Sequence, residues 1–92
     1  MAVRWLTEAR ADLVRIFEFN HERNEAYAAR VNARLLARGQ ALGSAPFMGP
    51  PLGTLGLRKL SVPDIQYVIV YGVDHADVVI FRVHSTREDW RS

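Results

Sequence analysis

The hydrophobic rhythm of this chain changes once. A run of turn formers, "GSAPFMGPPLGT" (43–54) with three Gly and three Pro, marks the place. Before it, apolar residues recur at helical spacing; after it, they alternate. A segment patterned for a helix does not settle as a strand, nor the reverse, so this switch demands helices followed by sheet. In the first half, Ala9, Leu13, Ile16, Phe17 and Asn20 share one helical stripe, with Thr7 placed to cap it and Glu8 in its first turn. "NHERN" (20–24) breaks that helix, and Asn24 is placed to cap a second one, whose core face is Tyr27, Val31, Leu35 and Leu42. Gly43 and Pro46 follow as stop signals. In the second half, "LRKLSV" (57–62), "QYVIVYGV" (66–73) and "DVVIFRVHS" (77–85) read as strands separated by turns at Asp64 and "VDHAD". "AVRWL" (2–6) reads as a further short strand. The expectation is an α+β domain of order β-α-α-β-β-β, a helix hairpin packed on a small antiparallel sheet.

With 92 residues the chain is one domain, 1–92, whose small size leaves little stability to spare. It has no Cys, which excludes disulfides and thiolate chemistry and fits a reducing cytoplasm. No apolar run is long enough to span a membrane, and the start, "MAVRWLTEAR", lacks the apolar core of a signal peptide. His21, His75 and His84 fall in a helix connection, a turn and a strand end, so no metal site is expected, and no phosphate-binding glycine loop or activated nucleophile is visible. No cofactor is expected.

The charge distribution is more informative than the net charge of +2. No acid occurs between Glu25 and Asp64, while Arg30, Arg34, Arg38, Arg58 and Lys59 all fall in that gap. Arg30, Arg34 and Arg38 form an i, i+4, i+8 stripe of like charge, a mild cost that an acidic partner relieves and that a hydrated outer face tolerates. A second group sits on the strands: Arg58 and Lys59 on the first of the meander, Arg82 and His84 on the last, Arg87 just beyond. By simple alternation Val79, Phe81 and Val83 share one face, and Val78, Ile80, Arg82 and His84 the other. If these strands are neighbours, cations converge at one end of the sheet, a pattern that suits a phosphate, an acidic segment or a developing negative charge. The plainer reading pairs Arg82 with Glu88 or Asp89 at a solvated edge. Trp90 either closes the core or offers an anchor to a partner.

Taken together, "WLTEARADLVRIFEF", "YAARVNARLLARGQAL", "GLRKLSVP", "YVIVYGV" and "VVIFRVHSTREDW" resemble the RelE/ParE superfamily of toxins from bacterial type II toxin–antitoxin systems, over roughly residues 3 to 90. The resemblance implies a helix hairpin against a small antiparallel sheet and a cognate antitoxin as partner in a hetero-oligomer. It implies one of two activities. RelE-like members are ribosome-dependent ribonucleases that use basic residues on the sheet, and often a tail Tyr or His. ParE-like members bind DNA gyrase and trap it on cleaved DNA. In many RelE-like nucleases the middle strand reads Tyr-Arg-x-x-Tyr with a catalytic Arg; here the matching "YVIVY" (67–71) has Val68 at that position, and Trp90 stands where a tail acid or base is wanted. The ending "RVHSTREDW" is closer to ParE-like endings. The expectation is therefore a ParE-like gyrase inhibitor, with Arg82, His84, Arg87 and Trp90 facing the target and Arg30, Arg34, Arg38 and Arg58 facing the antitoxin. The alternative is a nuclease built on Lys59, Arg82, His84 and Arg87, with ribosome and mRNA as partners and His84 as the side chain whose type titrates nearest neutral pH.

Overall fold

The computed structural model describes residues 1–87. Strand β1 (Ala2–Trp5) leads directly into helix α1 (Thr7–His21). The Leu6 N–H still donates to the Ile80 carbonyl (3.0 Å), so Leu6 stays extended and is itself the helix cap. Thr7 is therefore the first helical residue rather than the cap, and no side chain closes this end. At the second helix the expectation holds. The Asn24 Oδ1 accepts the Tyr27 N–H (2.9 Å) and opens α2 (Glu25–Ala41), which ends through a cap at Leu42, just before Gly43.

The strands that follow are β2 (Pro51–Leu52), β3 (Leu57–Val62), β4 (Tyr67–Asp74) and β5 (Asp77–Ser85), in the spatial order β1-β5-β4-β3-β2. β3, β4 and β5 form the expected antiparallel meander. Two features differ from the expectation. β1 lies parallel beside β5, which makes the sheet mixed, and the two residues of β2 extend it from within the Pro/Gly loop. Both helices cover one face. Ala9, Ile16, Val31, Leu35 and Leu42 pack with Leu60, Val62, Ile69, Tyr71, Val78, Ile80 and Val83 in one cluster. α2 approaches β1 closely because residue 39 is glycine; a Cβ there would overlap the Trp5 indole.

The alternation read along β5 fails at one point. Tyr71 pairs with Ile80 and Val70 with Arg82, so Phe81 is an extra residue in a β-bulge. Val78 and Ile80 face the helices, and the bulge then puts Val83 on that same face. Arg82 and His84 consequently continue the outer face of the sheet, not the face of Val78 and Ile80 as simple alternation has it.

Candidate functional site

The outer face of the meander carries two cross-strand rows. Partnered residues in a sheet project to the same side. Lys59, Val70 and Arg82 make one row, and Ser61, Val68 and His84 the next. Three of the residues expected from sequence thus share one face. Adjacent strands lie about 4.8 Å apart, so the Lys59 and Arg82 backbones stand roughly 10 Å apart across β4. Between them the strand contributes only valines, and both Val68 and Val70 are buried. Arg58 belongs to the neighbouring row with Tyr71 and Ile80 and points elsewhere.

Arg82 does not project freely. It forms a bidentate pair with Asp12 of α1, Nε to Oδ2 at 2.8 Å and Nη2 to Oδ1 at 3.0 Å. Asp12 is the partner that the sequence did not reveal. The same Oδ2 accepts the Val83 N–H (2.9 Å), and Oδ1 accepts from Arg15 Nη2 (3.2 Å). The Asp12 side chain is only 4% exposed, whereas that of Arg82 is 46% exposed. Burial alone would push the Asp12 carboxyl up. The hydrogen bonds from Arg82, Val83 and Arg15, with the charge of Arg82, outweigh it and hold the group below the ordinary aspartate value. One signal was available in the sequence: Asp12 lies between Ala9 and Ile16 on the apolar stripe of α1, and an acid there needs a partner.

Arg87 follows β5 and lines a cleft of about 470 Å³ with Arg15, Phe19, Arg23, Tyr67 and Ser85. Arg23 stacks over the Phe19 ring, its Cζ 4.3 Å from the centroid. The floor is fixed from beneath: the Asn20 amide donates to the Ile16 carbonyl (2.9 Å) and to the Tyr67 hydroxyl (3.2 Å). Trp90, with Glu88 and Asp89, lies outside the described residues.

The arginines expected to meet an antitoxin all have intramolecular contacts. Arg34 pairs with Asp64, Nε to Oδ2 at 2.9 Å, and this bond, first among the causes, lowers the Asp64 carboxyl from its usual range. Arg30 lies over the Tyr27 ring at 5.9 Å and Arg58 over Phe47 at 4.9 Å. Arg38 Nη2 approaches the Met48 sulfur at 3.4 Å. Among the described residues, no cluster of His, Asp or Glu is arranged to hold a metal ion, and no helix is long and apolar enough to cross a membrane.

Comparison with known proteins places this geometry. The profile of the ParE toxin of type II toxin–antitoxin systems, parDE, matches residues 3–90. A protein of Sinorhizobium fredii described as "Putative toxin Y4kP" is 32% identical over 88 residues, which cover 96% of this chain and 91% of that protein. Among solved structures, the chromosomal ParDE toxin–antitoxin system from P. aeruginosa contains a chain that superposes with a TM-score of 0.85 at 19% identity, covering 95% of this chain and 97% of that one. A chain of the RelBE2 toxin–antitoxin complex from Mycobacterium tuberculosis superposes with a TM-score of 0.67 at 28% identity, covering 91% and 95% respectively.

Proposed function

Because the chain belongs to the ParE family of toxins from type II toxin–antitoxin systems, we propose that it arrests growth by binding DNA gyrase and holding it on cleaved DNA in the cytoplasm. Its antitoxin partner neutralises it. The observation that carries the reading is the centre of the outer sheet face. Val68, buried between Ser61 and His84, stands at the position where the resemblance to many RelE-like nucleases implies a catalytic arginine. A valine offers neither charge nor a hydrogen bond to a phosphate. In the row beside it, Arg82 already spends two of its donors on Asp12. What the site offers a large protein target is surface, with His84 at the end of β5 and Arg87 beside the aromatic floor of its cleft. Arg82 serves this surface by fixing the strand that carries it.

A second reading has its own observation. Lys59, Arg82 and His84 lie in adjacent rows of one face, a partial set of the basic sheet residues that the resemblance to ribosome-dependent mRNA endonucleases implies, with Arg87 as a further cation. The deciding experiment is a gyrase supercoiling assay with purified, antitoxin-free protein, scored for lost supercoiling and for linearised DNA. Inhibition with linearised product is the expected result. A folded protein without effect on gyrase would refute the reading and move attention to ribosome-bound mRNA, where His84→Ala should abolish cleavage. For the tail, an Arg87→Ala/Trp90→Ala double variant that folds and stays fully toxic would remove these residues from the target surface.

A further inference from the structure

The loop joining α2 to β3 is pinned from inside and apolar on its outside. The Gly49 N–H donates to the buried Tyr71 hydroxyl (2.9 Å), and Arg58 Nη1 donates to the Gly49 carbonyl (2.7 Å). The Lys59 N–H donates to the Pro50 carbonyl (3.1 Å) and the Met48 N–H to the Ala45 carbonyl (3.1 Å). No Cβ fits at residue 49, where it would overlap the Lys59 carbonyl. Yet this fixed segment holds Phe47 62% exposed and Met48 43% exposed. A loose loop can fold such side chains away. A pinned one presents them to water permanently, and rigid exposed apolar groups mark a surface preorganised for a partner.

The flanking charges describe that partner. Arg58 stacks on Phe47 and Arg38 touches Met48, and the stripe continues along α2 through Arg34 and Arg30. Phe, Met and Arg side by side are the composition enriched at the centres of protein interfaces. A guanidinium stacked on a ring keeps N–H groups in its plane for a carboxylate. Arg58 commits Nη1 to the Gly49 carbonyl, while among the described residues its other N–H groups meet no acceptor. A nucleic acid would satisfy the arginines but leave Met48 wet, so the combination favours a polypeptide.

We propose that Phe47 and Met48, flanked by Arg38 and Arg58, form the docking surface for an acidic segment of the cognate antitoxin that carries a large apolar side chain. The inference rests on the reading of the chain as an antitoxin-held toxin and names where, and by what chemistry, it is held. The test is calorimetric titration of the folded chain with its cognate antitoxin, using a Phe47→Ser/Met48→Ser double variant and Arg38→Glu. Equal thermal midpoints establish that the variants fold. The double variant should bind at least ~30-fold more weakly and Arg38→Glu at least ~10-fold more weakly. Arg38→Glu should also flatten the dependence of affinity on salt. Wild-type affinity within threefold for both variants overturns the surface while leaving the toxin reading intact; failure of the wild type to bind the antitoxin overturns both. If a labelled 20-mer oligonucleotide binds the wild type, fails to bind Arg38→Glu, and antitoxin affinity is unchanged, the ridge belongs to nucleic acid and the proposal is wrong.

Discussion

Asp12→Ala should be the most damaging single truncation of a charged residue among those described. The carboxylate is 4% exposed and takes four hydrogen bonds: two from Arg82, one from the Val83 N–H and one from Arg15. Its loss orphans a buried amide, which by itself costs about 1–3 kcal/mol. The paired guanidinium loses its partner as well, but Arg82 is 46% exposed, so water recovers part of that loss and the full cost of breaking a buried pair is not reached. A total of about 3 kcal/mol follows, roughly 12–24 °C in Tm for a domain of this size. Arg82→Ala should cost less, about 1–2 kcal/mol, because the carboxylate still accepts from Val83 and Arg15. The pH dependence has a definite sign. The folded-state value of Asp12 is depressed, so its contribution is complete above about pH 5 and is lost as pH falls below ~4 towards the folded value. The Tm gap between wild type and Asp12→Asn should therefore narrow on acidification. Thermal melts by circular dichroism from pH 7 to pH 3 test all three statements. A Tm for Asp12→Ala within 4 °C of wild type, or Arg82→Ala as the costlier change, would show that the cluster does not anchor β5.

Other perturbations probe the frame around the site. Asn24→Ala should cost about 1 kcal/mol by removing the cap on the Tyr27 N–H, whereas Thr7→Ala should leave the thermal midpoint nearly unchanged, since Thr7 caps nothing. Gly49→Ala should cost about 1–3 kcal/mol, because the new methyl meets backbone at Lys59, and should also raise exchange of the residue-49 amide measured by NMR. Arg34→Ala, which breaks a solvent-exposed pair with Asp64, should leave the urea midpoint nearly unchanged.

The helices and meander were legible because their patterns are local. The 3.6-residue stripe of α1 and α2, the mixed polar and apolar steps of β3 and the unbroken apolar run of β4 between turn signals need no knowledge of the rest of the chain. What escaped was set by pairings distant in sequence. Nothing in "AVRWL" states that it will lie parallel to β5, yet that contact keeps Leu6 extended and displaces the cap from Thr7. The bulge at Phe81 is likewise invisible to a period-two reading, and it is what moves Val83 into the core and Arg82 out of it. The convergence of Lys59, Arg82 and His84 was foreseeable from strand order. The capture of Arg82 by Asp12, 70 residues away, was not, although an acid on the apolar stripe of α1 was a clue.

Bulge, carboxylate and chain direction act together at one sheet edge. β1 covers β5 only as far as Ile80, where the Leu6 N–H makes the last backbone bond before the chain turns into α1. Beyond that point the edge of β5 would offer its Val83 N–H to any passing strand. α1 runs alongside instead and supplies Asp12, which takes that amide in place of a neighbouring strand and brings a charged, occupied pair to the edge. Charges placed this way are a recognised defence against strand addition. At the other edge, β2 pairs with β3 only opposite Leu57 and Arg58, and Lys59 lies beside the pinned loop that displays Phe47 and Met48. The fold thus closes one side of its sheet to other chains and leaves the opposite side approachable. If so, Asp12→Ala should do more than lower Tm. At concentrations where the wild type stays monodisperse in light scattering, the folded variant should self-associate, whereas Arg82→Ala, which keeps the carboxylate on Val83, should not. Equal scattering from Asp12→Ala and wild type would mean that the edge is closed by something other than this carboxylate.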